Sequence, residues 1–435
     1  MTLSMRRNAG LAALLAIAAG TSVAATASAT SGTTAGTTAA TAAAGSGTKT
    51  KVIISTDLPL QGASADASRD TNRAVHMVVD AYNATSTKFE VEVKEYDDST
   101  AAKGGWDDAV CAKNASDHVA NADEVAVMGT YNSGCAKIIV PVLNQDPNGP
   151  MLMVSHANTN PGLTKTWDPG EPEIFYPTGK RNYARVVTTD DYQGKAAAQF
   201  VAQELKLKKC FVINDNQTYG QGVAQAFVDE AKVQNIEILG NEAWDAKQPN
   251  YSAFFEQIKA TNPDCLYVGG IYDNNGGQLV KDKVKVLGDN TALPMMGPDG
   301  FTGYTDLQAQ PEAEGMFLSF AGLDQSTLLA QGGAGADLVK AYKEKYGKDP
   351  VGSYPLYGVA AMQVILDAIA KSDGSRKSIT DAVFSGEGIT IPADKAVIGK
   401  EIKIDTASGD SNNRDISILQ MTGGQEKLVK GWIIS

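Results

Sequence analysis

The stretch MVSHANTNPGLT, residues 153–164, sets Ser155, His156, Asn158, Thr159 and Asn160 directly behind the apolar run Met151–Val154. Pro161 then stops any strand from continuing, because proline lacks the N–H that a sheet needs. A turn with a helix cap would use such residues. So would a ligand site in which hydroxyls and backbone N–H groups hold a polar molecule. Similar clusters recur in DLPLQGAS (57–64), GTYNSGC (129–135), NDNQTYGQG (214–222), GGIYDNNGG (269–277) and GPDGFTGY (297–304). Turn chemistry accounts for part of this richness in Gly, Ser, Thr, Asn, Asp and Tyr. Six such loops, several with aromatics, exceed what turns require, and the balance favours a polar cleft.

Other chemistries find little support. The chain has no GxSxG, HExxH, CxxC or GxxxxGK[ST], so the common hydrolase, zinc, redox and phosphate-loop signatures are missing. The three histidines, His76, His118 and His156, match no metal-ligand spacing. Only His156 falls in a candidate site loop, and a single histidine is ordinarily a packing or hydrogen-bonding residue. No catalytic group, metal or cofactor is expected.

These loops must be positioned by something, and strand and helix patterns alternate from residue 51 onward. KVIISTDLPL reads as a strand, RDTNRAVHMVVDAYNA as a helix with Val75, Val78, Val79 and Tyr82 on one face, and FEVEVKEYDD as an alternating strand. A helix around Cys111, the strand EVAVMGTY, a helix from about Cys135 to Leu143 and the strand PMLMVSHA follow. After TTDDYQG the rhythm restarts with AAAQFVAQEL, KCFVINDN, GVAQAFVDEAKVQ, IEILGNEAW, SAFFEQIKA, DCLYVGG, GQLVKDKVKVL and PMMGPDGF. Strand–helix–strand units of this length predict parallel sheets covered on both faces, and two such runs predict two similar α/β lobes. YPLYGVAAMQVILDAIAKS reads as an amphipathic helix that returns to the first lobe, and KEIKIDT as a late strand without a helix partner. The polar loops all fall at carboxyl ends of strands, where open parallel sheets bind ligands.

A length of 435 residues suits two domains, and 43% hydrophobic residues suffice for real cores. The formal net charge of −12, without a basic stripe, argues against nucleic acid. Arg6 and Arg7, the apolar run AGLAALLAIAAG and the ASA at 27–29 read as an export signal over 1–29; the arginine pair admits a twin-arginine route. Residues 30–50 lack any large apolar side chain and read as a tether. The first cysteine is Cys111, so a lipoprotein anchor is not expected. Four cysteines in an exported chain invite disulfides, and their regions favour Cys111–Cys135 and Cys210–Cys265 over four buried thiols.

The order EYDDST, GTYNSG, SHANTNPGLT, TTDDYQGKAAAQF, DNQTYGQGVAQAF, GGIYDNNGGQLV, GPDGF resembles the type I periplasmic binding proteins, in the branched-chain amino-acid and amide-binding branch of ABC-transporter receptors. The resemblance covers about residues 51–435. It implies two doubly wound α/β lobes joined by three hinge segments, with 51–186 and 319–385 in lobe 1 and 187–318 and 386–435 in lobe 2. It also implies a ligand site. Ser133 and Thr159 would hold an α-carboxylate, the Ala157 carbonyl would meet an ammonium, and Tyr219 and Tyr272 would close over the ligand from the second lobe. Asp299 stands where leucine-binding members carry a Glu for the ammonium. Ala67 replaces the usual aromatic of the first loop, and Asp299 is one methylene shorter, so leucine specificity is not implied. The expected role is a monomeric, exported receptor that delivers an amino acid to an ABC permease. An amide, urea or small carboxylate as ligand, and a sensor without transport, remain open alternatives.

Overall fold

The computed structural model describes residues 48–434. The expected export signal and nearly all of the tether lie outside the described residues. The first strand already begins at Thr50.

Five strands make the first sheet: β1 (Thr50–Leu58), β2 (Phe89–Asp97), β3 (Glu124–Gly129), β4 (Leu152–Ser155) and β5 (Tyr183–Arg185). Their order is β2-β1-β3-β4-β5, and every neighbouring pair is parallel. β3 and β4 are buried along their whole length, as strands covered on both faces must be, and their sequences are accordingly near-continuous apolar runs. The second sheet holds β6 (Lys209–Asn214), β7 (Glu237–Ala243), β8 (Cys265–Gly269), β9 (Met295–Gly297), β10 (Phe317–Phe320), β11 (Asp415–Met421) and β12 (Glu426–Ile433). Its order is β12-β11-β10-β9-β8-β6-β7. β6 to β10 are parallel and repeat the arrangement of the first sheet, whereas β11 and β12 add on as an antiparallel pair. Each lobe is therefore doubly wound. Its strand order reverses between β1 and β3 in one lobe and between β6 and β8 in the other, and a crevice opens at the carboxyl ends there.

The helices that matter for the cleft are α1 (Ala65–Thr85), α2 (Asp108–Ala120), α3 (Ser133–Asn144), α4 (Asp190–Gln203), α5 (Thr218–Val233) and, late in the chain, α6 (Tyr354–Lys371). α6 departs from the amphipathic reading: every residue from Tyr354 to Ile369 is buried. One side lies against α1, so close that a Cβ on Gly358 would sit 2.4 Å from the Thr71 methyl. Another side is covered by residues 389–404, through Gln363 Nε2 to the Lys395 carbonyl (2.7 Å) and the Val397 N–H to Gln363 Oε1 (3.2 Å). The chain therefore stays beside α6 past residue 386 and joins the second sheet only at Asp415. KEIKIDT contributes only Ile402–Lys403, paired with Thr390–Ile391, and a single bridge from Ile404 to Ser411.

Three segments cross between the sheets and bond to one another. The Thr188 N–H donates to the Ala321 carbonyl (3.1 Å) and its hydroxyl to the Asp415 carbonyl (2.9 Å). The Ser417 hydroxyl donates to the Gly322 carbonyl (2.8 Å). No helix among the described residues is long and apolar enough to cross a membrane.

Cys111 on α2 meets Cys135 on α3, with Cα atoms 5.6 Å apart. Cys210 and Cys265 are register partners on the adjacent strands β6 and β8, with Cα atoms 4.6 Å apart. Both pairs are at disulfide distance. Peptide mapping of unreduced, secreted protein should recover these two bridges, and reduction should cost about 2–4 kcal/mol of stability per bridge. Four alkylatable thiols in the native protein would overturn the pairing.

His118 supplies a pH dependence. Its ring is fully buried between β1 and β3, with Nε2 3.0 Å from Asp57 Oδ2 and Nδ1 bonded to Glu124. Burial alone would lower its pKa; the hydrogen bonds and charges of Asp57 and Glu124 outweigh that and hold it at about 9. A folded-state pKa raised above the ordinary value of 6.5 gives stability that is fully present below about pH 6.5 and lost as pH rises through 9. Denaturation at pH 6 and pH 9.5 should differ by up to about 3 kcal/mol from this group, and His118→Gln should remove that part of the difference.

Candidate functional site

The carboxyl ends of the two sheets face each other, and loops from both line one cleft. Ser133, Ala157, Tyr219 and Asp299 line it together, joined by Tyr131, Asn132, Ile271, Gly300 and Tyr354, around a residual space of about 20 Å³. The structure thus brings four of the six expected residues to one place. Thr159 follows two residues after Ala157, fully buried, and its hydroxyl has no hydrogen-bond partner. Tyr272 does not line the cleft. Its ring packs against Phe301 (centroids 6.0 Å) and Tyr304 (5.0 Å), and its hydroxyl is 3.4 Å from Gln310 Oε1. Ala67 is buried in α1 and lies outside the lining.

The first-lobe wall is built from the GTYNSG and SHANTN loops. Ser133 is the first residue of α3, whose Asn132 cap makes no side-chain bond. The free N–H groups of that turn and the positive end of the helix dipole suit a carboxylate without any arginine. The Ser133 hydroxyl accepts the Asn160 N–H at 3.3 Å. Ser155 ends β4 and accepts the N–H groups of Ala157 (3.1 Å) and Asn158 (2.9 Å). Asn158 in turn donates to the carbonyls of Thr130 (2.8 Å) and Tyr131 (3.1 Å), tying the two loops together.

Arg185, the last residue of β5 and fully buried, anchors this wall. Its Nη1 donates to the carbonyls of Asn158 (2.9 Å) and Asn160 (2.8 Å), its Nη2 to the Thr164 hydroxyl, and its Nε to Asp410 Oδ1 at 2.8 Å. Burial would raise the Asp410 pKa; the charges of Arg185 and Lys165 outweigh it and hold the carboxyl below its ordinary value.

The opposite wall is acidic. Asp299 accepts from Gln193 Nε2 (2.8 Å) and from the hydroxyls of Tyr219 and Tyr354, while its own N–H donates to Gln193 Oε1 (2.9 Å). Burial pushes its carboxyl up, and these partners pull it back only in part. Behind it, Asp190, the first residue of α4, is buried against Thr159: its N–H donates to the Thr159 carbonyl (2.9 Å), and neither carboxylate oxygen has a well-formed hydrogen bond. Burial and the nearby Asp299 charge put it well above the ordinary range. Asp190 and Gln193 both lie in TTDDYQG, and Tyr131 lies inside GTYNSG, but nothing in those motifs separates them from their polar neighbours. Tyr354 carries no local signal, since only the fold brings the start of α6 to a cleft whose other residues lie far away in the chain.

Contacts also cross between the lobes. The Ser64 N–H and hydroxyl, at the start of α1, donate to Asp273 Oδ1 at 3.0 and 3.1 Å, and Asn160 Nδ2 reaches the Thr218 carbonyl at 3.3 Å. A larger cavity of about 440 Å³ lies elsewhere, among Leu323, Tyr357, Ile398, Arg414, Asp415 and Ile433. Neither lining includes an unpartnered buried side chain among the described residues, but His156, Thr159 and Asp190, which have such atoms, are buried close behind the cleft loops.

A family model described as periplasmic binding protein matches residues 54–425. A Leu/Ile/Val-binding protein of Rhizobium johnstonii is 27% identical over 299 residues, which cover 69% of this chain and 73% of that protein. The leucine-specific-binding protein of Salmonella typhimurium is 29% identical over 272 residues, covering 61% and 67%. Among solved structures, a leucine binding protein from Thermotoga maritima superposes with a TM-score of 0.70 at 22% identity, covering 87% of this chain and 98% of that one. A solute binding protein of an ABC transporter from R. palustris, in complex with benzoate, gives 0.69 at 16% identity, covering 88% and 96%.

Replacing Arg185 tests the anchor. Arg185→Met leaves Asp410 with Lys165 and the Thr164 hydroxyl alone and leaves the Asn158 and Asn160 carbonyls without their donor, which should cost about 3–5 kcal/mol in urea unfolding. Removing the carboxylate as well, in Arg185→Met/Asp410→Leu, should recover only the part due to the ion pair, the unpaired Asn158 and Asn160 carbonyls keeping the rest.

Proposed function

The chain belongs to the periplasmic binding protein family, and from that premise we propose that it is the exported solute receptor of an ABC importer, closing its two lobes on a small amino acid. The observation that carries the reading is the polarity of the cleft. The Ser133 hydroxyl and the helix N-terminus it opens line the same cleft as the Asp299 carboxylate, with Thr159 and Asp190 buried behind the lining and bonded to each other through the Asp190 N–H. One wall suits an α-carboxylate, the other an α-ammonium, with the Ala157 carbonyl and the tyrosines completing the enclosure. Relatives named for leucine, isoleucine and valine support an amino acid. The benzoate complex on the same fold raises a second reading, a carboxylate without a cation. Two buried acids disfavour it, because an anion brought beside them would meet like charge without relief.

The ligand passes from this monomeric receptor to a membrane permease, and the two cysteine pairs close as disulfides in the oxidising space outside the cytoplasm. Family membership points to binding rather than turnover.

Calorimetry tests the zwitterion reading. Both acids have raised pKa values in the unliganded cleft, and a ligand ammonium favours their ionised forms, so binding should release protons. Affinity should fall as pH drops through that raised range, and the measured heat should change with the buffer's ionisation enthalpy. Asp299→Ala should weaken an amino-acid ligand about 30- to 1000-fold, or about 2–4 kcal/mol, and barely affect an analogue without the amino group. Asp190→Asn, which keeps the shape, should act in the same direction. Equal losses for both ligands would favour the carboxylate reading.

A further inference from the structure

We propose that His156 reads the ligand's side chain, and that the ligand is therefore an amino acid whose side chain carries a hydroxyl or carboxamide; this rests on the amino-acid reading above. His156 is the loop residue between Ser155, at the end of β4, and Ala157, which lines the cleft. Its side chain is only 1% exposed, yet neither ring nitrogen has a hydrogen-bond partner. The imidazole stands against Tyr131 (centroids 6.1 Å) and edge-on to Tyr354 (5.9 Å), two cleft-lining rings that are themselves 5.1 Å apart.

The other unpartnered groups nearby, Thr159 and Asp190, lie against each other: the Asp190 N–H donates to the Thr159 carbonyl (2.9 Å), and the Thr159 hydroxyl pulls the Asp190 pKa down. His156 has no such polar neighbour, and it belongs to the same loop as Ala157. Burial lowers its pKa to about 3, with no charged neighbour contributing, so the ring is neutral at ordinary pH. A neutral imidazole offers one donor and one acceptor. A hydroxyl or a carboxamide also offers both, and can satisfy the ring. An isobutyl or isopropyl group satisfies neither nitrogen, and a buried polar atom without a partner is costly. Sites built to hydrogen-bond a ligand group reject analogues that lack it far more strongly than apolar pockets reject a missing methylene. Tyr131, Tyr354 and Ile271 provide the flat and apolar surfaces that would flank the methylene of such a side chain.

The test is calorimetry of the full-length mature chain with serine, threonine, asparagine, glutamine, leucine and valine. The wild type should bind at least one of the first four more than ~10-fold tighter than leucine or valine. His156→Leu should weaken that polar ligand more than ~10-fold while leaving leucine within ~3-fold, and His156→Gln, which keeps a donor and an acceptor, should retain the preference. Should His156→Leu fail to fold, the wild-type ranking and His156→Gln decide the matter. A wild type that prefers leucine or valine, or a His156→Leu loss equal for both ligand classes, overturns the assignment while leaving the receptor reading intact. If none of the six amino acids raises the melting temperature, the receptor's amino-acid reading falls and this inference falls with it. Ser133→Ala separates the two levels, since it should weaken polar and aliphatic amino acids alike.

Discussion

The cleft depends on one buried guanidinium. Arg185 sits at the end of the last strand of the first sheet and donates to Asn158, Asn160, Thr164 and Asp410. The loop it holds carries His156, Ala157 and Thr159 as irregular backbone, which has no sheet ladder of its own to fix it. Irregular backbone buried this deeply needs its carbonyls paired, and the planar fork of arginine can pair several at once. Asp410 comes from the late segment that leads to β11, so the same ion pair also pins one of the three crossings between the sheets. Site and linker are thus fixed by a common contact.

The two walls of the cleft hold their polar groups in different ways. On the first lobe, Ser155 and Asn158 consume their hydrogen bonds in shaping the loop. On the second lobe, Asp299 is held by Gln193, Tyr219 and Tyr354, while the Asp190 carboxylate has no hydrogen-bond partner. A carboxyl buried without partners takes up a proton rather than stay charged. Burial and the Asp299 charge accordingly raise the Asp190 pKa, against the pull of the Thr159 hydroxyl.

Much of this is legible in the sequence, for identifiable reasons. Parallel strands buried on both faces announce themselves as short apolar runs, so β3, β4, β6 and β8 stand out as EVAVMG, LMVS, KCFVIN and CLYVG. Polar loops stand at their carboxyl ends, and within them the family resemblance, not the pattern, singles out Ser133, Ala157, Tyr219 and Asp299. The failures have equally physical causes. α6 looks amphipathic in sequence because small residues pass for solvent-facing ones, whereas Gly358 is small to let α1 approach. The β11–β12 pair is hard to see because β12 exposes most of its residues at a sheet edge and alternates weakly. Tyr272 matches by loop position, but its ring is claimed by Phe301 and Tyr304. Tyr354 and Asp190 reach the cleft only through tertiary structure, and no local pattern encodes that.

The contacts between the lobes set how a ligand can control closure. Besides the bond from Tyr354 to Asp299, the cleft is bridged by Ser64 to Asp273 and by Asn160 to the Thr218 carbonyl. Asp273 acts across the cleft as a cap for α1, whose Ser64 makes no capping side-chain bond within the helix itself. Hydrogen bonds of this kind contribute about 0.5–1.5 kcal/mol each, because water replaces them when the lobes part. Their sum approaches the free energy that a micromolar ligand brings, about 8 kcal/mol, only if the ligand's own contacts are added to both walls. A ligand shifts closure only by its differential affinity for the closed form. A ligand that bonds to both walls supplies that difference, and so the polar groups of the cleft and the three crossings that join its walls are parts of one device.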